Sequence, residues 1–166
     1  MKRGEKGFTV IELLLVVAIT GVIVVPLMMA TTTLLTNPQR STNQNVVLHQ
    51  VQNAGHWISR DVQMSRTVTP GGSNGFPLSL SIPVDDDENN DNSIEYVFDG
   101  DMLKRRLYDP VPTLISETHV ADHIDTDNTT FSAVDVGLYR LTVRAARGEA
   151  AVTRGYEVSQ RLSPAS

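Results

Sequence analysis

The chain contains no cysteine. Disulfide bonds, thiolate zinc sites and cysteine nucleophiles are therefore all excluded. A small domain without disulfides must be held together by its own apolar core, by an oligomer or by a metal ion. Aromatic residues make up only 5 % of the chain, which is a thin supply for a large core.

The chain also has fewer basic than acidic residues. The chain has 14 Lys and Arg residues against 19 Asp and Glu residues, for a formal net charge of −5. Proteins that bind nucleic acids need a basic surface that neutralises phosphates. No nucleic-acid partner is therefore expected.

Motifs that mark enzyme active sites are absent as well. Serine, histidine and aspartate all occur, but no G-x-S-x-G or similar setting for a nucleophile does. The glycine-rich run at 71–75 lacks the Lys-Ser/Thr pair of a phosphate-binding loop and is interpreted as a linker. We therefore expect no enzyme activity and assign no catalytic residues.

What the chain does have is a long apolar run near its N-terminus. Phe8 to Met29 comprises 22 residues, of which Glu12 is the only ionisable one. As a helix this run is about 33 Å long, enough to cross a hydrocarbon core of about 30 Å. Three basic residues and one acidic residue precede it. The positive-inside rule then predicts a single pass through the cytoplasmic membrane, with the N-terminus inside and the rest outside.

Two ordinary explanations of this run are a secretory signal peptide and a plain membrane anchor. The run is longer than the apolar core of a signal peptide, which is about 7–15 residues, and no A-x-A cleavage site closes it. A plain anchor leaves Glu12 unexplained, because an ionisable group at the centre of a membrane helix costs on the order of 2.5–3.5 kcal/mol.

The segment Gly7-Phe8-Thr9-Val10-Ile11-Glu12, between a basic leader and an apolar helix, resembles the type IV prepilin signal. The resemblance implies that a prepilin peptidase cleaves after Gly7 and that Phe8 becomes an N-methylated new N-terminus. It also implies that Glu12 helps to recruit the subunit to a growing fibre. The implied partners are the peptidase, the membrane, and other pilin or pseudopilin subunits that bind through the N-terminal helix.

The charges agree with this implied role. After cleavage, the cationic amine of Phe8 lies at membrane depth, where the Glu12 carboxylate of a neighbouring subunit is a suitable partner. Two unit charges about 4 Å apart attract by roughly 4 kcal/mol at an effective dielectric constant of 20, before desolvation is subtracted. Pro26 lies within the apolar run and is expected to bend or locally melt the helix, with hydroxyls of Thr31–Thr33 satisfying freed carbonyls.

Beyond the apolar run, Asn37-Pro38 predicts a break, after which a helix resumes from about Thr42 to Val68. Apolar residues recur there at spacings of three and four and predict one buried stripe, which Trp57 and Met64 broaden: Val47, Val51, Ala54, Ile58 and Val62. Polar residues, Asp61 among them, are expected largely on the rest of the helix.

The remaining residues alternate between apolar and polar and predict strands that cover this stripe. The segments are 76–84, with Pro77 and Pro83 favouring an edge position, 94–98, 103–107, 138–144 and 151–162. Asp99-Gly100 predicts a type I′ hairpin, and 147–149 predicts a second turn. The connection from Leu107 to Gly137 is weakly patterned, with a possible short helix at His119–Ile124.

The expected fold is therefore α+β and pilin-like. A long N-terminal helix, with a membrane half and an amphipathic half, packs on an antiparallel β-meander head. The segments are a leader at 1–7, a transmembrane and assembly helix at 8–35, an amphipathic continuation at 36–68 and the β-rich head at 69–166.

Four weaker patterns resemble the W-type minor pilins and the J-type pseudopilins of type II secretion. They are Arg60-Asp61, Ile94-Glu95-Tyr96 with Leu103-Lys104-Arg105, the Phe131 region, and a last strand that ends at Gln160-Arg161-Leu162. The resemblance implies a structural subunit of a type IV pilus or a pseudopilus, as a minor component at the tip or in initiation. The alternative is a head that acts as an adhesin, a DNA-uptake module or a cargo-binding module.

Two groups of residues are weak candidates for metal sites. Asp85, Asp87, Asn89 and Asp91 begin like a calcium-binding EF-hand loop, but Asn92 stands where glycine is needed and Phe98 replaces the terminal glutamate. A solvated loop without a cofactor is the alternative. His119 and His123 would share one helix face, but no further zinc ligand is fixed.

The cations Lys104, Arg105 and Arg106 are expected to pair with the acidic loop or with another subunit, or to face solvent, and contact with DNA is a further alternative.

Overall fold

The structure, a computed structural model, describes residues 9–72 and 74–161, and for residues 33–40 it describes the backbone alone. The chain forms two units, Met1–Ser41 and Thr42–Ser166. Each unit is described by itself below.

One α-helix, α1, runs over Val10–Met64 and is 55 residues long. It continues without interruption through Pro26 and Pro38, so the predicted break at Asn37-Pro38 and the local melting at Pro26 are wrong. A proline removes one N–H donor, and the turns before and after it keep their own hydrogen bonds.

The hydroxyls of Thr31 and Thr32 donate to carbonyls other than the one that Pro26 frees, and the Thr33 side chain lies outside the described residues. Thr31 donates to the Leu27 carbonyl over 2.7 Å, and Thr32 donates to the Met28 carbonyl over 3.2 Å. The carbonyl that loses its helical donor to Pro26 is four residues earlier, at Val22.

The end of α1 comes at Met64, four residues before the predicted end. The Ser65 hydroxyl donates to the Val62 carbonyl over 2.8 Å, and a strand begins at Thr67. β-Branched residues at 67 and 68 favour that strand over a further helical turn. The Gln160 amide donates to the backbone carbonyl of Ser65 over 3.3 Å and so caps the end of the helix.

Among the described residues, eight strands follow in two antiparallel sheets, and the α+β fold is as predicted. The five-stranded sheet has the order β1-β2-β3-β4-β5 and the three-stranded sheet the order β6-β7-β8, so each is a meander. The strands are β1 Thr67–Gly71, β2 Gly75–Ile82, β3 Asn92–Asp99, β4 Met102–Tyr108, β5 Leu114–Ala121, β6 Thr130–Asp135, β7 Leu138–Arg147 and β8 Ala150–Ser159.

Both predicted hairpins are present. Asp99 pairs with Met102, so Gly100 and Asp101 form a two-residue loop, and Arg147 pairs with Ala150 in the same way. Gly100 has a φ of 62°, whereas Asp101 does not have a positive φ. Glycine at the first loop position alone fits a type II′ turn rather than the predicted type I′ turn.

Two other strand predictions are wrong. β2 is the second strand of its sheet, not an edge strand. Pro77 is tolerated because pairing with β3 begins only at Leu78 and pairing with β1 is irregular opposite it. The segment predicted as a short helix at His119–Ile124 is instead the end of β5 and a bend. β5 is an edge strand with most side chains exposed, so its sequence lacks the alternation that marks a half-buried strand.

The core of the second unit lies between α1 and the sheets. The predicted helix stripe is confirmed, since Val47, Val51, Ala54, Ile58 and Val62 are all fully buried. Trp57 packs against this core, but Met64 is 41 % exposed and does not belong to it. The larger strand residues that cover the stripe are Leu78, Leu80, Ile94, Tyr96, Leu103, Leu141, Val143 and Val158.

Candidate functional site

The first candidate site is the N-terminal part of α1. Gly7 and Phe8 lie outside the described residues, and Glu12 lies in the first turn of the helix. The Thr9 carbonyl accepts hydrogen bonds from the backbone N–H groups of Glu12, over 3.0 Å, and Leu13, over 3.2 Å. A carboxylate in the first turn is stabilised by the positive end of the helix dipole.

The helix segment Val10–Thr32 is long and apolar enough to cross a membrane. None of its 23 residues is buried within the protein. An exposed apolar surface of this extent needs lipid or another protein to cover it. The segment therefore has the properties of a membrane span and of an association surface.

In the second unit, a buried polar cluster joins α1 to the five-stranded sheet. Asp61 is only 2 % exposed, and its Oδ2 atom accepts from the Tyr96 hydroxyl over 2.7 Å and from Arg105 Nε over 2.6 Å. The Arg105 guanidinium lies over the Trp57 ring, 5.5 Å from its centroid, in a cation–π contact. Burial, and then the adjacent Asp61 carboxylate, raises the pKa of Tyr96 far above its usual range, so the hydroxyl stays protonated and donates.

The sequence pattern did not predict this cluster, because it places Asp61 among the polar residues of the helix. The available signal is its spacing, because Asp61 comes three residues after buried Ile58 and so lies beside the stripe. Two of the patterns that resemble W-type minor pilins and J-type pseudopilins meet in this cluster. Asp61 comes from the first pattern, and Tyr96 and Arg105 come from the second, 35 and 44 residues further along the chain. The cluster therefore holds α1 on β3 and β4.

Comparison with known proteins identifies the N-terminal segment. The family model for the prokaryotic N-terminal methylation motif matches residues 2–28. The chain is type IV prepilin-like. No curated protein and no solved structure matches the chain. The motif belongs to structural, pilin-like proteins, and it accounts for the apolar helix with its single carboxylate.

In the head of this prepilin-like chain, the acidic residues between β2 and β3 bond to protein donors. Asp87 caps the short 3₁₀-helix Glu88–Asn90, and its Oδ1 atom accepts from the Asn89 backbone over 3.0 Å and side chain over 2.8 Å. These two hydrogen bonds lower the pKa of Asp87. The Asp85 carboxylate accepts from the Asp87 backbone over 2.8 Å and from the Asn90 amide over 3.1 Å.

Arg66 also binds the loop between β2 and β3. Its guanidinium donates to the Asp85 carbonyl over 2.8 Å and forms an ion pair with Asp91 over 3.5 Å. The other Asp91 oxygen accepts from the Ser81 hydroxyl. Asp85, Asp87, Asn89 and Asp91 therefore do not converge on one point, and within residues 9–72 and 74–161 no three His, Asp or Glu side chains are grouped to hold a metal ion.

The two histidines considered for zinc are separated. His119 Nε2 lies 2.8 Å from Asp122 Oδ1, whereas His123 Nδ1 lies 3.3 Å from Asp101 Oδ2. His123 has a φ of 59° and lies in the bend that follows β5. The short helix predicted at His119–Ile124, which would have placed both histidines on one face, does not form.

The three cations on β4 pair within their own unit. Lys104 lies 2.6 Å from Asp99 and 3.3 Å from Glu117, and Arg106 lies 2.8 Å from Glu117. Arg106, and then Lys104, lowers the pKa of Glu117. The acidic loop is thus not their partner.

A cavity of about 390 Å³ lies between the start of β2, the end of β3 and the turn before β6. Phe76 and Phe98, whose ring centroids are 4.6 Å apart, form part of its apolar wall. Asn74 donates to the Asp127 carbonyl over 3.1 Å and so fixes the polar rim. It is open to solvent on one side and has a mixed polar and apolar lining.

Proposed function

We propose that the chain is a pilin-like structural subunit that is cleaved after Gly7 and assembled into a type IV pilus or a type II secretion pseudopilus. The observation that carries the proposal is the fully exposed apolar helix Val10–Thr32 with a carboxylate in its first turn. Such a helix is stable in a membrane and is also a surface through which subunits associate. The motif at residues 2–28 supports the processing step.

In this proposal, Phe8 becomes the methylated N-terminus and its amine pairs with Glu12 of a neighbouring subunit. Each charge alone is costly at membrane depth, so both favour a staggered array of helices. Before assembly, the basic leader keeps the N-terminus in the cytoplasm and the head outside the cytoplasmic membrane.

We also propose a minor role for the chain, in starting or capping the fibre. This part of the proposal rests on the segments that resemble W-type minor pilins and J-type pseudopilins, among them those of Asp61, Tyr96 and Arg105. The measurement is the amount of this chain relative to the most abundant subunit in sheared fibres. A small fraction, together with loss of fibres on deletion, supports a minor role, and an equal or larger amount contradicts it.

Mass spectrometry of the membrane form tests the processing step. In cells with the cognate peptidase, the first residue should be methylated Phe8. A chain that retains Met1 under these conditions overturns the pilin-like assignment of the cleavage site. A Gly7→Val variant is the control, since a side chain at the cleavage position blocks access to the backbone.

As a second candidate function, we propose a head that binds a surface, DNA or secretion cargo, with the concavity of about 390 Å³ as the place to test. Purified full-length chain in detergent should then retain glycans, DNA or exported proteins. Val97→Arg, which places a long side chain in the cavity, should abolish that binding. Binding that survives the substitution contradicts a contact at this concavity.

A further inference from the structure

We infer that the concavity beside Phe98 binds a basic side chain, arginine or lysine, of a polypeptide partner. The concavity is the one of about 390 Å³ between the start of β2, the end of β3 and the turn before β6. This inference rests on the second candidate function, a binding head, and names the chemistry of its partner. It does not depend on assembly into a fibre.

Asp127 gives the concavity its charge. It is the single ionisable residue among the seven described residues that line the concavity. Asp127 is exposed, and among residues 9–72 and 74–161 no donor bonds to its carboxylate. The Asp125 carboxylate differs, because it accepts from the Asn128 amide over 2.9 Å and pairs with Arg144 over 3.1 Å. A concavity with one unpaired carboxylate attracts a cation and repels an anion.

Cations on the neighbouring strand do not cancel this charge. Lys104 is the register partner of Val97 across β3 and β4, but its Nζ atom lies 2.6 Å from Asp99 and 3.3 Å from Glu117. Arg106 also pairs with Glu117, over 2.8 Å. These two cations and two carboxylates balance, so they add no net positive charge beside the concavity.

The side-chain polar groups of the rim are mainly hydrogen-bond acceptors. The Asn74 amide nitrogen spends its hydrogens on the backbone carbonyls of Asp127, over 3.1 Å, and Thr126, over 3.5 Å. Asn74 Oδ1 and the Asp127 carboxylate remain as acceptors, and the Thr126 hydroxyl can accept or donate. A ligand must therefore bring its own N–H donors. Ammonium and guanidinium groups do so, whereas the phosphates of DNA do not.

The apolar wall suits the rest of a basic side chain. The Phe98 ring is half-buried and lies 4.6 Å, centroid to centroid, from the buried ring of Phe76. Cations are attracted to the faces of aromatic rings. The methylene stem of an arginine or a lysine packs on apolar surface while its charged group stays beside polar partners. Pro77 and Val97 extend this wall.

The rim is already in place before any ligand binds. The Asn74 carbonyl accepts from the Phe131 backbone N–H over 2.8 Å, and with the Asn74 amide this joins the start of β2 to the turn before β6. A preformed rim avoids the cost of ordering loops on binding. Asn74 Oδ1 is also an acceptor for a peptide N–H next to the bound side chain. This favours a residue of a polypeptide over a free amine.

A ligand-observed NMR titration of the full-length chain in detergent tests the chemistry. The probes are the N-acetyl amides of arginine, lysine, norleucine and glutamate, together with butylamine. The arginine and lysine probes should bind at least tenfold more tightly than the norleucine and glutamate probes. Butylamine should bind more weakly than the lysine probe because it lacks the peptide groups. Added salt should weaken binding of the cationic probes, because it screens exposed charges.

Substitutions then locate the bound probe. Asp127→Asn removes the charge and Phe98→Leu removes the ring, and each should weaken binding of the arginine probe by about fivefold, as expected for one exposed ionic or cation–π contact. Asp86→Asn is the matched control, because it removes an exposed carboxylate of the acidic loop and should leave binding unchanged. Melting temperatures of the variants show that each one is folded.

Four outcomes overturn the inference. They are no binding of either basic probe, equal binding of the norleucine probe, butylamine binding as tightly as the lysine probe, and equal losses from Asp86→Asn and Asp127→Asn. The second candidate function is tested separately, by the glycans, DNA or exported proteins that the purified chain retains. If such partners are retained while the basic probes do not bind, the inference fails and the binding head stands.

Discussion

The ring of Tyr156 lies directly against Gly55 of α1. A Cβ atom at Gly55 would come within 2.2 Å of Tyr156 Cζ, and the Tyr156 hydroxyl donates to the Val51 carbonyl over 3.1 Å. Glycine inside a helix costs up to about 1 kcal/mol relative to alanine. Here it permits β8 to approach the helix closely enough for this contact.

Gly55→Ala should therefore destabilise the head, although alanine is the better helix former. Overpacking of this kind costs about 1–3 kcal/mol because the aromatic ring has to move. Chemical denaturation of the full-length chain in detergent measures the effect. Gly155→Ala is the matched control, since nothing lies within 4 Å of its Cβ position. Equal stability of the two variants would contradict the close approach.

Arg105→Ala should destabilise the head strongly. The substitution leaves the Asp61 carboxylate buried without its cation, and breaking a buried pair in this way costs about 3–5 kcal/mol. Arg106→Ala is the control on the same strand, because its ion pair with Glu117 is accessible to solvent and such pairs contribute little. If both variants unfold at the same denaturant concentration, the buried cluster does not hold the helix on the sheet.

Glu12→Gln should separate membrane insertion from assembly. The amide is cheaper to bury than a carboxylate, so insertion should survive, and cleavage after Gly7 should survive because it precedes any fibre contact. Incorporation into fibres should fall because the neighbouring amine then lacks its partner. The measurement is recovery with sheared fibres at equal membrane levels.

The same experiment distinguishes a position at the tip. A subunit at the end of a fibre lacks one of its two neighbours, so Glu12→Gln should reduce its incorporation less than that of an internal subunit. Unchanged incorporation with normal fibre initiation would contradict the assembly role of Glu12. A variant that is uncleaved or absent from the membrane would contradict the separation of roles.

Calcium should leave the thermal stability of the chain unchanged. A bound ion at a hundredfold excess over its Kd would add roughly 2.7 kcal/mol. The loop instead holds the Arg66 guanidinium 3.5 Å from Asp91, and a cation there repels a second one. Asp87→Ala is the control, with the same melting temperature expected with and without calcium. A calcium-dependent rise that Asp87→Ala abolishes would establish a site in this loop.

Local patterns predicted the parts of the structure that depend on local periodicity. The stripe from Val47 to Val62 was predictable because helical spacing alone places these residues on one face. The Asp99-Gly100 signal predicted a hairpin because a two-residue loop needs a residue that accepts positive φ. The methylation motif was equally local.

Features that depend on partners far along the chain were not predictable in this way. Asp61 is buried because of Tyr96 and Arg105, which are 35 and 44 residues away. β5 is a strand because β4 offers it a free edge, not because its own residues alternate.

The cap on the end of α1 has a consequence for the order of folding during synthesis. Gln160 donates to the Ser65 backbone across a separation of 95 residues, and the Arg161 backbone donates to the Gln63 carbonyl over 3.2 Å. Synthesis from the N-terminus delivers the helix first and these donors only after all eight strands. Until those donors have been synthesised, water must solvate the helix end. The helix end is closed by protein groups only when the segment after β8 arrives.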